Sequence, residues 1–185
     1  MRKNLIITLL ATLLFSCSGL DVSRFGHEYP LTANIAESNG KDISIKIPEG
    51  WFLTSDNVNN NYEMLLIKDN YKCSISLLKL NFSQDFTGSD DKSQFLKQAV
   101  NYSKKFNKVR YGDKFKVDNQ EPFFEYENKI CSSYIFSFRE NSTTRVVVFI
   151  FKEKVYELTA VNFDMGMVNN LDLFKTQNAV INSAI

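Results

Sequence analysis

The 185-residue chain predicts an α+β domain in which an antiparallel β-sheet is flanked by helices. Three observations lead there. Many apolar runs alternate with polar residues at period two, the mark of a strand with one face in a core. Two segments, one mid-chain and one at the C-terminal end, repeat instead at helical spacing. Strands and helices come in blocks, without the strand–helix–strand alternation of a parallel sheet. Sixteen Phe and 8 Tyr supply aromatic bulk for a β-rich core, and 3 Pro with 7 Gly leave little material for linkers, so one domain is expected.

The first strand is expected at residues 42–47, where Ile43, Ile45 and Ile47 alternate with polar neighbours. Pro48 and Gly50 close it with a turn, and Trp51 re-enters as a core or rim anchor. Residues 62–68 and 72–82 form two further strands joined at Asp69-Asn70. The apolar parity of the second slips between Leu77 and Leu78, which predicts a bulge. A polar loop, 83–91, leads into a helix with Phe95, Ala99, Tyr102 and Phe106 on one face and Leu96 and Val100 widening the stripe. Ser89 or Asp90 is placed to cap that helix, and Lys104 and Lys105 to complement its dipole. Strands are then expected at 115–117, 123–126, 133–138, 145–151 and 155–161, the last two joined by a tight hairpin around Lys152-Glu153-Lys154. A closing helix puts Met167, Leu171, Phe174, Asn178 and Ile181 on one face.

The N-terminus reads as an address. Arg2 and Lys3 precede an apolar run from Leu5 to Phe15, shorter than the ~20 residues of a membrane-spanning helix but the length of a secretory signal core. Leu14-Phe15-Ser16-Cys17, followed by Ser18-Gly19, resembles the lipobox of bacterial lipoproteins. That resemblance implies cleavage before Cys17, acylation of its sulfur and acylation of the new amino group. Each buried CH₂ contributes about 0.8 kcal/mol, so two or three chains anchor durably where one is marginal. Ser18 after the cysteine implies the outer membrane, periplasmic face, in a bacterium with two membranes. The chain therefore divides into a signal peptide (1–16), a lipidated cysteine with a polar tether (17–41) and one domain (42–185).

The run Ile43-Ser44-Ile45-Lys46-Ile47-Pro48-Glu49-Gly50-Trp51, the mid-chain helix, and the late stretch from Lys154-Val155-Tyr156-Glu157-Leu158-Thr159 to Phe163 before a terminal helix resemble the PsbP-like family. Its members are α/β/α sandwiches found among photosystem II extrinsic proteins and small bacterial lipoproteins, and the order of elements covers residues 42–185. The resemblance implies the sandwich fold. Metal-associated roles in part of the family lean on histidines, and the domain from residue 42 onward has none.

Chemistry is sparse. Lys+Arg 22 against Asp+Glu 21 excludes a nucleic-acid binder that works by bulk charge. His27 lies in the tether and is read as solvated, which leaves the domain without a histidine base. No glycine-rich phosphate loop is present, and no cofactor is expected. Cys73 and Cys131 are either a disulfide or two separate buried thiols. Asp85, Asp90 and Asp91 around Gly88 lack calcium-loop spacing and fit helix capping better. Glu121, Glu125 and Glu127 could form paired carboxylates, but their alternation with Phe124 and Tyr126 reads as a solvated strand face. Lys92, Lys97, Lys104, Lys105, Lys108 and Arg110 make one helix basic, a face for anionic headgroups or an acidic partner, or simply a solvated surface. The expected function is a membrane-anchored, non-enzymatic binding or accessory protein of the cell envelope, with an envelope protein as partner. The alternatives are a carrier or sensor of a small apolar ligand and a carboxylate-based hydrolase.

Overall fold

The computed structural model describes residues 25–54, 62–82, 92–127, 129–138, 142–163 and 170–185. Along them run strands β1 (Leu31–Glu37), β2 (Ser44–Pro48), β3 (Trp51–Leu53), β4 (Met64–Lys68) and β5 (Cys73–Lys79), then helix α1 (Lys92–Tyr111). Strands β6 (Lys116–Gln120), β7 (Phe124–Tyr126), β8 (Lys129–Ser137), β9 (Thr144–Phe151) and β10 (Lys154–Asn162) follow, and helix α2 (Asn170–Asn182) ends the chain. Strands β1 and β2 form a two-stranded antiparallel ribbon. The other eight make one antiparallel sheet in the order β3-β4-β5-β10-β9-β8-β6, with β7 also paired to β8. The expected α+β class is the one observed, with α1 on one face of the sheet and α2 with the ribbon on the other.

Alternation along the strands divides the two cores. Met64, Leu66, Cys73, Ile75, Leu77, Tyr156, Leu158 and Ala160 face α2. Tyr134, Phe136, Val146, Val148 and Val155 face Phe95, Leu96, Ala99 and Val100 of α1. Strand β9 is apolar on both sides because it is covered on both, Val147, Phe149 and Phe151 going one way and Val146, Val148 and Ile150 the other. The β9–β10 hairpin turns on Lys152 and Glu153, both at positive φ (47° and 62°), the two-residue turn whose twist matches its strands.

Four expectations change. Residues 31–37, assigned to the tether, are strand β1, and Ser44 exchanges two backbone hydrogen bonds of 3.0 Å with Ile185, so the ribbon is sewn to the chain terminus. Before it, Phe25 stacks on Phe124 with ring centres 5.1 Å apart, and Tyr126 donates a 2.8 Å hydrogen bond to the Phe25 carbonyl. The domain therefore begins no later than Phe25. No bulge interrupts β5 between Leu77 and Leu78, because its pairing to β10 runs unbroken and the two leucines serve opposite cores. Tyr102 and Phe106 are exposed (38% and 41%) rather than buried, since α1 is rotated to bury Ser103 and Asn107 instead. The expected cap residues Ser89 and Asp90, the Asp85 and Asp91 carboxylates and Met167 lie outside the described residues.

Arg145, fully buried on β9, ties the α2 layer together. Its Nε donates to Glu121 Oε2 at 2.9 Å, its Nη2 lies 2.8 Å from the same oxygen in the ion pair, and its Nη1 donates to Asn178 Oδ1 at 2.7 Å and Gln177 Oε1 at 3.1 Å. Gln177 returns donors to the carbonyls of Arg145 and Leu158, and Asn178 donates to the Gly26 carbonyl at 3.0 Å. Glu121, expected on a solvated face, is thus 4% exposed and half of a buried ion pair, while Glu125 and Glu127 are exposed as expected.

Glu121→Ala would leave the Arg145 guanidinium buried without its counter-charge. A loss of about 3–5 kcal/mol is expected in denaturant unfolding. Trp51, 7% exposed in the α2-side core, predicts a loss of similar size for Trp51→Ala, seen as a drop of about 10 °C in the melting temperature.

Candidate functional site

Helix α1 lies over β8, β9 and the Val155–Glu157 end of β10, and leaves β4 with the Ser74–Ser76 part of β5 and the Thr159–Val161 part of β10 uncovered by regular structure among the described residues. Side-chain size deepens the opening. The register sets Leu65, Ser76, Thr159 and Val146 in one row across the sheet and Ile67, Ser74, Val161 and Thr144 in the next. Serine and threonine on the middle strands leave a hollow where the neighbouring strands carry larger side chains. The result is a groove of about 250 Å³, floored by these rows and walled by Tyr62, Asn107, Arg110, Tyr111, Phe138 and Phe163.

Under the groove, between α1 and β10, lies a buried polar knot. Glu157 is 2% exposed. Its carboxylate accepts from the Ser103 hydroxyl, from Thr159 Oγ1 at 3.1 Å and from Asn107 Nδ2 at 3.2 and 3.3 Å. With the Ser103 proton committed to Glu157, the Tyr134 hydroxyl is the donor in its 2.7 Å contact with Ser103 and accepts in turn from Asn107 Nδ2 at 2.9 Å. Burial pushes the Glu157 carboxyl above its ordinary value, against the pull of its hydrogen-bond donors. Burial also raises the Tyr134 phenol, which keeps its proton through the neutral range.

Arg110 crowns the groove. Its guanidinium donates to the Tyr62 hydroxyl and lies 5.3 Å from the Tyr62 ring centre and 5.5 Å from that of Tyr111. Among the described residues no carboxylate comes within ion-pair distance of it, and no acidic residue lines the groove.

Of the residues singled out from sequence, the structure gathers few. The six cations do occupy one helix, but Arg110 bends into the groove and Lys104 is drawn over the Tyr134 ring (5.4 Å) and to Gln120, where partial burial lowers its pKa. Lys108 meets Asp113 at 3.3 Å, and Lys92, Lys97 and Lys105 are exposed. Cys73 and Cys131 are buried, unbridged thiols on the same face, but β10 and β9 separate their strands and the register sets Cys131 level with Lys79, well along β5 from Cys73, so more than roughly 14 Å lies between them at normal strand spacing. A disulfide needs Cα atoms within about 7 Å, and the bridge is ruled out. Burial lifts the Cys131 thiol to about 12, unsuited to nucleophilic work. His27 packs edge-on against Tyr126, ring centres 5.5 Å apart, rather than standing in a tether. Cys17 lies outside the described residues. Among the described residues no group of three or more His, Cys, Asp or Glu could hold a metal ion, and no helix is long and apolar enough to cross a membrane.

Sequence reading missed the groove and the knot. Ser74, Ser76 and Thr159 are unremarkable polar positions in alternating strands, and only the pairing of β4, β5 and β10 turns them into one floor. The one available signal was Glu157, a carboxylate in the otherwise uncharged run from Val155 to Asn162.

No protein-family model matches the chain, and neither does any curated protein. Among solved structures the chain is similar to cyanobacterial PsbP (CyanoP) from Synechocystis sp. PCC 6803, at 13% identity with a TM-score of 0.55, over 92% of this chain and 96% of that one. A crystal structure from Bacteroides thetaiotaomicron VPI-5482 matches at 16% identity with a TM-score of 0.44, over 82% of this chain and about half (47%) of that one. The fold is thus PsbP-like, as the resemblance implied; at this identity the fold is what is shared.

The raised Glu157 pKa has a sign. The folded state holds the proton more tightly than the unfolded state, so Glu157 costs nothing below its ordinary value of 4.5 and lowers stability progressively as pH rises from there to the folded value. Glu157→Gln is expected to remove that slope, about 1.4 kcal/mol per pH unit across the window, when melting temperature is followed against pH. A variant that keeps the wild-type slope would show that Glu157 does not titrate there.

Proposed function

We propose that this chain is a lipid-anchored, non-catalytic accessory protein of the bacterial cell envelope that receives part of a partner protein in its groove. The groove carries the reading: a preformed, mostly apolar hollow with, among the described residues, one guanidinium, built on a sheet rather than on loops. The buried titratable groups on both faces of the sheet are committed to structure. Glu157 is saturated by Ser103, Asn107 and Thr159, Glu121 is paired with Arg145, and the Cys131 thiol is held protonated. Such groups position a fold rather than turn over a substrate. Similarity to CyanoP extends to the fold, which is compatible with an accessory role.

The lipobox-like Leu14-Phe15-Ser16-Cys17 supports the anchor, with acyl chains on Cys17 holding the protein at a membrane, the outer membrane where the bacterium has two. A carrier of a small apolar ligand is the second reading, and the apolar lining favours it. Small-molecule pockets usually enclose ~300–1,000 Å³ and most of the ligand. A partly open groove of about 250 Å³ suits the end of a larger molecule better.

Cys17→Ser is expected to release the protein from membranes or to leave it with its signal uncleaved, as read by fractionation and mass of the product. A processed protein that still partitions into detergent would overturn the anchor. For the partner, in-cell crosslinking of the full lipidated chain should capture one stoichiometric protein, and Ser76→Trp, which fills the groove floor, should abolish capture while circular dichroism is unchanged. Undiminished capture by that variant would place the docking site elsewhere.

A further inference from the structure

We infer that the groove recognises the carboxy-terminal end of its partner polypeptide, with the terminal carboxylate on Arg110 and the last apolar side chains on the sheet floor. The inference rests on the groove as docking site. Arg110 is the one ionised side chain in the groove lining among the described residues. A guanidinium carries five donors in a planar fork suited to bidentate pairing with a carboxylate. Only the Tyr62 hydroxyl takes one of them among the described residues. The Tyr62 and Tyr111 rings, 5.3 and 5.5 Å away, hold the fork in place without neutralising it.

The surroundings favour an anion at this spot and an apolar body beside it. Helix α1 holds six cations and no carboxylate, leaving 16 cations against 21 carboxylates in the rest of the chain, so this end of the groove is positive on a protein otherwise negative. Glu157 lies under Asn107 rather than in the groove, and its oxygens are occupied by Ser103, Asn107 and Thr159, so it attracts Arg110 from a distance without taking a donor of the fork. Leading away from Arg110, Leu65, Ile67 and Val161 offer apolar surface, and Ser74 and Ser76 leave room for side chains to descend between them. A chain end is the source of carboxylate that fits best. It brings one charge and a short apolar segment that a hollow of this size can take.

The test uses the purified full chain and two pools of short acetylated peptides, randomised among apolar residues at their last two positions. One pool ends in a free carboxylate and the other in a carboxamide; octanoate is the third probe. Titration calorimetry is expected to show the free-acid pool binding at least about tenfold more tightly than the carboxamide pool, the range of a charge-assisted hydrogen bond. Octanoate should bind no better than the carboxamide pool. Arg110→Met should bring the two pools level without moving the melting temperature, and Arg110→Lys should restore part of the difference. Equal binding of the pools, no binding of either, octanoate matching the free acid, or an undiminished difference in Arg110→Met would each overturn the inference. If Ser76→Trp abolishes partner capture while the pools bind alike, the groove stands as the docking site and the carboxylate assignment alone falls.

Discussion

The Arg145–Glu121 ion pair is the constraint around which one whole layer of this protein is arranged. Both side chains are almost fully out of water, at 0% and 3% exposure. Desolvating two charges costs several kcal/mol each, recovered only when every donor finds an acceptor in good geometry. That requirement fixes more than two residues. Asn178 and Gln177 must face β9 to take the Nη1 donors, which sets the rotation of α2. Gln177 then reaches the carbonyls of Arg145 and Leu158, and Asn178 the carbonyl of Gly26, so β9, β10 and the incoming chain are held by the same side chains. With α2 placed, Ile185 meets Ser44 and the β1–β2 ribbon is positioned in turn. An apolar replacement could be as stable, but it would not specify the rotation of the helix so narrowly.

The opposite layer is built on different terms. Helix α1 is also fixed by polar contacts, through Ser103 and Asn107 to Glu157 and Tyr134, yet it packs its apolar stripe against β8 and β9. Aromatic bulk follows the helix: Tyr111, Phe115, Phe136 and Phe138 cluster with ring centres 4.8–6.2 Å apart. Small residues occupy the part of the sheet that the helix does not reach. Filling that area with leucine and valine would leave a wider apolar face in water. Serine and threonine there instead yield a shallow hollow bounded by aromatic rims, which keeps exposed apolar area within ordinary limits while leaving a shape for something else to fill.

The sheet was legible because period-two alternation is a local property. Ile43, Ile45 and Ile47, the Val146–Phe151 run and the Lys152-Glu153 turn each declare their state within a few residues. Strand β1 was not, because Leu31-Thr32-Ala33-Asn34-Ile35-Ala36-Glu37 alternates weakly and its pairing with β2 shifts register between Leu31 and Ile35. The helix was found but its face was misjudged. Tyr102 and Phe106 outrank Ser103 and Asn107 on any hydrophobic scale, and only the partner Glu157, fifty residues away, reverses the order. Glu121 escapes a reading of the sequence for the same reason: a carboxylate at a strand end looks solvated until its counter-charge Arg145, 24 residues off, is brought beside it.

The two layers also differ in where the chain enters. Phe25 lies against Phe124 and Tyr126, and Gly26 against Asn178, all belonging to the α2 side, whereas the groove opens on the α1 side. Eight residue steps lead from Cys17 to Phe25, and an extended chain spans at most about 3.6 Å per step, so they reach no more than roughly 29 Å. A sheet with a helix layer on each face is about that thick, since each packed layer adds roughly 10 Å. Under the proposed anchoring, acyl chains on Cys17 would therefore hold the α2 side toward the lipid and turn the groove away from it. A partner reaching that groove would approach from the aqueous side, which a polypeptide end extending from a soluble or neighbouring envelope protein can do and a lipid of the anchoring leaflet cannot.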